Sequence, residues 1–172
     1  MGLSFQNLSR KQMTFQDVFH YICAFIEKEP ASTYRLIIGT DSQVHGRSTR
    51  FVTGIVIRRE GKGAWGCIRK FDVPTRVECL HSKISIETTL TEQIAQLFTP
   101  QRKRHLINII LPYIKEGSSL TIEGHIDVGQ GERNKTKVYV EEMVKRIEEL
   151  GMKPLIKPQS FVASSYANRY TK

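Results

Sequence analysis

Three carboxylates stand where the chain changes character. Asp41 closes the apolar run IIGTD (37–41), Glu87 lies in the early turns of ISIETTLTEQ (84–93), and Asp127 closes EGHID (123–127). In open α/β sheets, sites gather beyond the carboxyl ends of strands. If the strands ending at Asp41 and Asp127 are adjacent and parallel, their carboxylates converge, and Glu87 reaches them from its helix. Such a cluster, without cysteine ligands, suits Mg²⁺ or Mn²⁺, which take hard oxygen donors. Two such ions about 4 Å apart can clamp the attacking and leaving oxygens of a phosphodiester. The same negative charge without a cation is unfavourable. The bland alternative for Asp41 followed by Ser42 is an Asx-turn, and for Glu87 and its competitor Glu92 it is a solvated helix surface. Strand alternation also puts Glu123, His125 and Asp127 on one face, against Ile122 and Ile126 on the other, so Glu123 and His125 are auxiliary candidates.

A second set of residues suits phosphate. GQGERNKTK (129–137) leads glycines into a helix with Arg133, Lys135 and Lys137, and helix N-termini bind phosphate through free N–H groups. It lacks the GK[ST] ending of a P-loop. Ser42 beside Asp41, and Arg169 in the final NRYTK, are further candidate nucleic-acid contacts. RKRH (102–105) and IRREGKG (57–63) add basic stretches that reach a nucleic-acid track only if they fall on the same side of the fold. Lys and Arg total 26 against 17 Asp and Glu, a formal charge of +9, which favours polyanions, nucleic acid first.

These groups need a scaffold, and the chain's periodicities predict one. Thr14 and Asp17 open a helix carrying Val18, Ile22, Phe25 and Ile26 at helical spacing, ended by Pro30. Strand patterns follow at 34–39, 50–60 and 64–74, with GKG as the second turn, and suggest an antiparallel meander. Helical spacing resumes over 82–98 and 101–117, a strand over 118–129, a helix over 134–151 with Asn134 as cap, and a short strand over 153–159. That order implies a mixed α/β fold, with the last helix making a parallel crossover. The expected organisation is one domain over 1–172, with residues 1–30 as a helical extension packed on it.

Composition closes off other classes. Hydrophobic residues are 40% and charged residues 25%, as in globular chains. Cys23, Cys67 and Cys79 form no CxxC pair, and their odd number argues against a disulfide framework. No apolar run approaches the roughly 18 residues of a membrane span, and the N-terminus has no signal-peptide pattern. A cytoplasmic protein without a membrane partner is expected.

IIGTDSQ, ISIETTLTEQ, EGHIDVG and ASSYANRYTK, in that order, resemble the bacterial YkuK-type group of ribonuclease H-like proteins over nearly the whole chain. The resemblance implies a ribonuclease H-like fold, a five-stranded mixed sheet flanked by helices. It also implies a nuclease whose Asp41, Glu87 and Asp127 bind two Mg²⁺ or Mn²⁺ ions and carry catalysis. It favours Glu87 over Glu92. It implies a fourth carboxylate near the C-terminus, where this chain offers Asn168 and no acid after Glu149. A nucleic-acid-binding protein without catalysis, or a regulatory protein on the same fold, is the alternative reading.

Overall fold

Residues 34–38 and 51–57 are apolar on both faces, so a sheet built from them needs cover on both sides. The computed structural model describes residues 2–129 and 137–171, the side chains of Ser164 and Asn168 excepted. After α1 (Phe15–Glu27), strands β1 (Thr33–His45), β2 (Ser48–Arg59) and β3 (Ala64–Val73) form the antiparallel meander. Helices α2 (Leu80–Leu97) and α3 (Pro100–Ile110) lead to β4 (Ser119–His125), which pairs parallel to β1. Helix α4 (Lys137–Glu149) crosses over to β5 (Lys153–Leu155), parallel to β4. The result is a five-stranded mixed sheet in the order β3-β2-β1-β4-β5.

One face of the sheet, carrying Leu36, Ile38, Ile55 and Ile57, forms the main core with apolar residues of α1 to α4. The other face is covered by the C-terminal tail, a π-helical turn over Val162–Tyr166 and α5 (Asn168–Thr171). There Val162 packs on Ile37 and Val56, and Ala167 on Val52 and Ile68. The tail lies close because the strands lack side chains beneath it. A Cβ on Gly54 would stand 2.8 Å from the Tyr166 ring, and one on Gly66 2.7 Å from its hydroxyl. Gly54→Ala is therefore expected to destabilise the protein by about 1–3 kcal/mol through overpacking, read as a lower urea midpoint with an unchanged slope.

Several expectations shift in detail. The first strand runs to His45 instead of stopping at Gly39, because the β1–β2 hairpin continues pairing through Asp41↔Val52 to His45↔Ser48. Asp41 thus lies inside a strand and not beyond its end. The fourth strand ends at His125, so Asp127 stands just past it. The 101–117 helix is split: Pro112 lies in a 3₁₀ segment, Leu111–Glu116, and Gly117 ends it at positive φ. Asn134 lies outside the described residues. The capping box of α1 forms, with Thr14 accepting from the Asp17 amide and Asp17 accepting from the Thr14 amide.

One arginine from each of the two basic stretches serves the scaffold. Arg59 is buried at the end of the sheet remote from Asp41, donating to the Tyr34 hydroxyl and the Phe25 carbonyl. Arg102 covers the rings of Phe15 and Phe19. Among the described residues, no helix is long and apolar enough to cross a membrane.

Candidate active site at the strand tips

Parallel pairing of β1 with β4 ends at Gly39↔His125, so Asp41 within β1 and Asp127 beyond β4 each stand two residues past the last pair, at one edge of the sheet. The first turns of α2 arrive at the same edge, because its Thr91 hydroxyl lies 2.8 Å from Thr40, which in turn lies 2.8 Å from Thr53. This buried hydroxyl chain fixes α2 across β1 and β2. One turn nearer the helix start, Glu87 is buried and its Oε1 accepts a 2.5 Å hydrogen bond from Ser42 Oγ. Asp41 is 8% exposed. Glu87 and Asp127 line one narrow crevice together with Thr40, Thr88 and Thr91.

The electrostatics mark these groups as a set. Burial pushes Glu87 up to about 8; Ser42 opposes that shift, while the charges of Asp41 and Asp127 add to it. Burial and the Asp127 charge raise Asp41 to about 6, against the pull of the Ser42 amide, Lys83 and Lys157. Lys157 Nζ stands 3.1 Å from Asp127 Oδ1. That distance makes an ion pair, but the geometry is not that of a hydrogen bond, and this buried oxygen has no hydrogen-bond donor. The ion pair still acts, since Coulomb attraction needs only proximity.

The donor chemistry fits an oxygen-seeking divalent cation: carboxylates drawn together against their own repulsion, one carrying a buried oxygen without a donor. The described residues do not form a finished cage. Among them, no three His, Cys, Asp or Glu side chains are grouped closely enough to hold one ion. Glu87 is engaged by Ser42 and Asp127 by Lys157, and loading an ion requires those contacts to yield.

A pH dependence follows. Both carboxyls titrate higher in the folded chain than in the unfolded one, so the folded state holds the extra protons and stability falls as pH rises through that interval. Without divalent ions, the melting temperature is expected to fall between about pH 4 and pH 8, by at least roughly 10 °C. Glu87→Gln should flatten the upper part of that fall in a pH series of thermal melts.

Most of the other candidates fall elsewhere, Ser42 excepted. Glu123 and His125 face the tail side of the sheet: Arg35 donates to both Glu123 oxygens at 2.9 and 2.6 Å, and His125 Nε2 lies 3.1 Å from Glu123. His125 Nδ1 accepts the Val162 amide at 3.2 Å, so both ring nitrogens are engaged. Glu92 pairs with Arg146 at 2.6 Å and joins α2 to α4. Ser42 is turned to Glu87. Lys137 is exposed at the start of α4, and Arg169 is exposed beside Trp65 and Tyr166 on the tail face. Arg133 and Lys135 lie outside the described residues, as does the side chain of Asn168, whose backbone begins α5. His45 donates to the Thr171 carbonyl and fastens the tail to β1.

Reading the acids alone overlooked the cations. Lys83 and Lys157 both act on Asp41. The strand-end rule that singled out Asp127 would also have found Lys157, which follows β5 at the same edge.

Comparison with known proteins agrees with this architecture. The sequence profile of the family described as "Ribonuclease H-like" matches residues 17–172. The chain is 44% identical over 168 residues to "Uncharacterized protein YkuK" of Bacillus subtilis (strain 168), covering 98% of this chain and 96% of that one. No solved structure matches.

Proposed function

The chain belongs to the ribonuclease H-like family, and from that premise we propose that it is a Mg²⁺- or Mn²⁺-dependent nuclease hydrolysing phosphodiester bonds in nucleic acid. The observation that carries this reading is the convergence of Asp41, Glu87 and Asp127 at one sheet edge, where each raises or feels the charge of another. Asp41 and Asp127 are the residues that would hold a divalent ion, with Glu87 as a further ligand once Ser42 releases it. When bound, such an ion supplies Lewis-acid activation of water and offsets charge at the phosphorus. The protein's own part is to aim the carboxylates. The Thr53–Thr40–Thr91 chain fixes Glu87's helix, and the β1–β2 pairing fixes Asp41.

The edge strand β3 supports nucleic acid as the substrate. Phe71 is 40% exposed, and the Arg69 guanidinium lies 5.5 Å from its ring centroid. Phe71 is in register with Phe51 and, through it, with Ser42, two strands away. An exposed ring beside a guanidinium is a stacking surface for a base. Phe71→Ala is expected to weaken binding of a labelled single-stranded oligonucleotide about 10-fold in fluorescence anisotropy. The free thiols of Cys23, Cys67 and Cys79 suit work in the reducing cytoplasm.

A second reading, nucleic-acid binding or regulation without cleavage, is favoured by one specific observation: no acid follows Glu149, and Asn168 stands in the tail. Cleavage of labelled single-stranded RNA, single-stranded DNA and an RNA/DNA hybrid with Mn²⁺ or Mg²⁺ separates the two. Cutting abolished by EDTA supports the nuclease. Salt-sensitive binding with no cutting under either metal overturns it in favour of recognition.

A further inference from the structure

The β4–β5 rail continues beyond the strands themselves. The Ile126 amide donates to the Leu155 carbonyl at 2.9 Å, and the Lys157 amide donates to the Val128 carbonyl at 2.8 Å. This backbone pairing holds Lys157 beside Asp127 whatever its side chain does. The ammonium then reaches Asp127 Oδ1 at 3.1 Å, and its charge also favours the ionised form of Asp41. One lysine thus serves two of the three converging carboxylates. Its side chain is 47% exposed, so the same ammonium is open to a ligand arriving from solvent.

Charge balance shows what this means for ion binding. Asp41, Glu87 and Asp127 together carry three negative charges when ionised. One divalent ion and one ammonium balance them. Two divalent ions with the ammonium would leave a net positive site, and the second ion would be repelled by the first and by Lys157 alike. No acid after Glu149 is available to offset that excess.

We propose that Lys157 is a built-in cation of this site, occupying the place a second metal ion would need, so that the chain binds a single divalent ion and presents the Lys157 ammonium to the substrate phosphate beside it. The inference rests on the nuclease reading in taking the carboxylates as ion ligands.

The test is calorimetric titration of the full chain with MnCl₂, comparing wild type with Lys157→Met, Lys157→Arg and Lys157→Glu, each checked for folding by circular dichroism. Wild type is expected to bind one ion. Lys157→Met should bind one ion about 10-fold more tightly, because a repelling charge is gone, and yet cleave more slowly. Lys157→Arg should retain the wild-type affinity, and Lys157→Glu should bind two ions. Tighter metal with slower cleavage is a pairing that a merely structural lysine would not give. Two ions in wild type, or an unchanged Mn²⁺ affinity in Lys157→Met, would overturn the assignment of Lys157 and leave the nuclease reading standing. No Mn²⁺ binding in any of the four proteins would overturn both.

Discussion

Asp41→Asn is expected to abolish metal-dependent cleavage, by at least about 100-fold, while making the metal-free protein more stable. The two effects have one cause. Asp41 is held inside β1 at 8% exposure beside Asp127, and its carboxyl is raised from 3.8 to about 6. A carboxyl with a raised folded value is ionised at a cost at neutral pH, and the stability it forfeits is lost as pH rises from about 4 to about 6. At 1.36 kcal/mol per unit, that cost is about 3 kcal/mol above pH 6. Asparagine keeps the size and the polar contacts without the charge. The variant should therefore melt roughly 5–10 °C higher than wild type at pH 7.5 in EDTA. The gain should vanish near pH 4, where both side chains are neutral. Mn²⁺ should raise the melting point of wild type more than that of the variant. Undiminished cleavage by Asp41→Asn would remove Asp41 from the active site, and a lower melting point at pH 7.5 would refute the electrostatic account.

The largest loss of stability is expected from Arg35→Met. Glu123 is 3% exposed in the middle of the sheet. Burial alone would raise its carboxyl, but hydrogen bonds from His125 and Arg35, with the Arg35 charge, hold it at about 2. Removing the guanidinium strands a buried carboxylate, which costs about 3–5 kcal/mol. Adding Glu123→Gln to Arg35→Met should recover part of that loss, because the orphaned charge goes with it. Urea unfolding of the two single variants and the double variant measures the coupling. An Arg35→Met loss below 1 kcal/mol would mean that His125 alone satisfies Glu123. In wild type this pair stabilises the fold above the ordinary glutamate range, and its contribution fades as pH falls from about 4.5 towards 2.

The scaffold was legible where periodicity was strong. The meander, the helix from Leu80, the parallel crossover through α4 and the five-strand count all follow from patterns in the chain. The far half of β1 was not, because DSQVH is polar and reads as a turn. Only its pairing with β2 keeps it extended, and that is a tertiary fact. The convergence of Asp41 with Asp127 could be anticipated from parallel pairing of their strands, but not that Asp41 lies within β1. The shared face of Glu123 and His125 was equally visible, but not that Arg35 waits across the strand pair to bury them. The small residues in ASSYANRY carry no strong apolar periodicity. They form the second cover of the sheet because Gly54 and Gly66 leave room for Tyr166.

That cover carries a consequence for biosynthesis. Residues 162–171 are translated after every strand of the sheet, so Ile37, Val52, Val56 and Ile68 have no lid while they emerge from the ribosome. Contacts spanning such sequence distances form late, and a half-clad apolar sheet is the kind of surface that chaperones retain and that associates with itself. A nascent chain stalled before Phe161 would be sticky, and the tail's arrival is the event that makes the molecule safe to release.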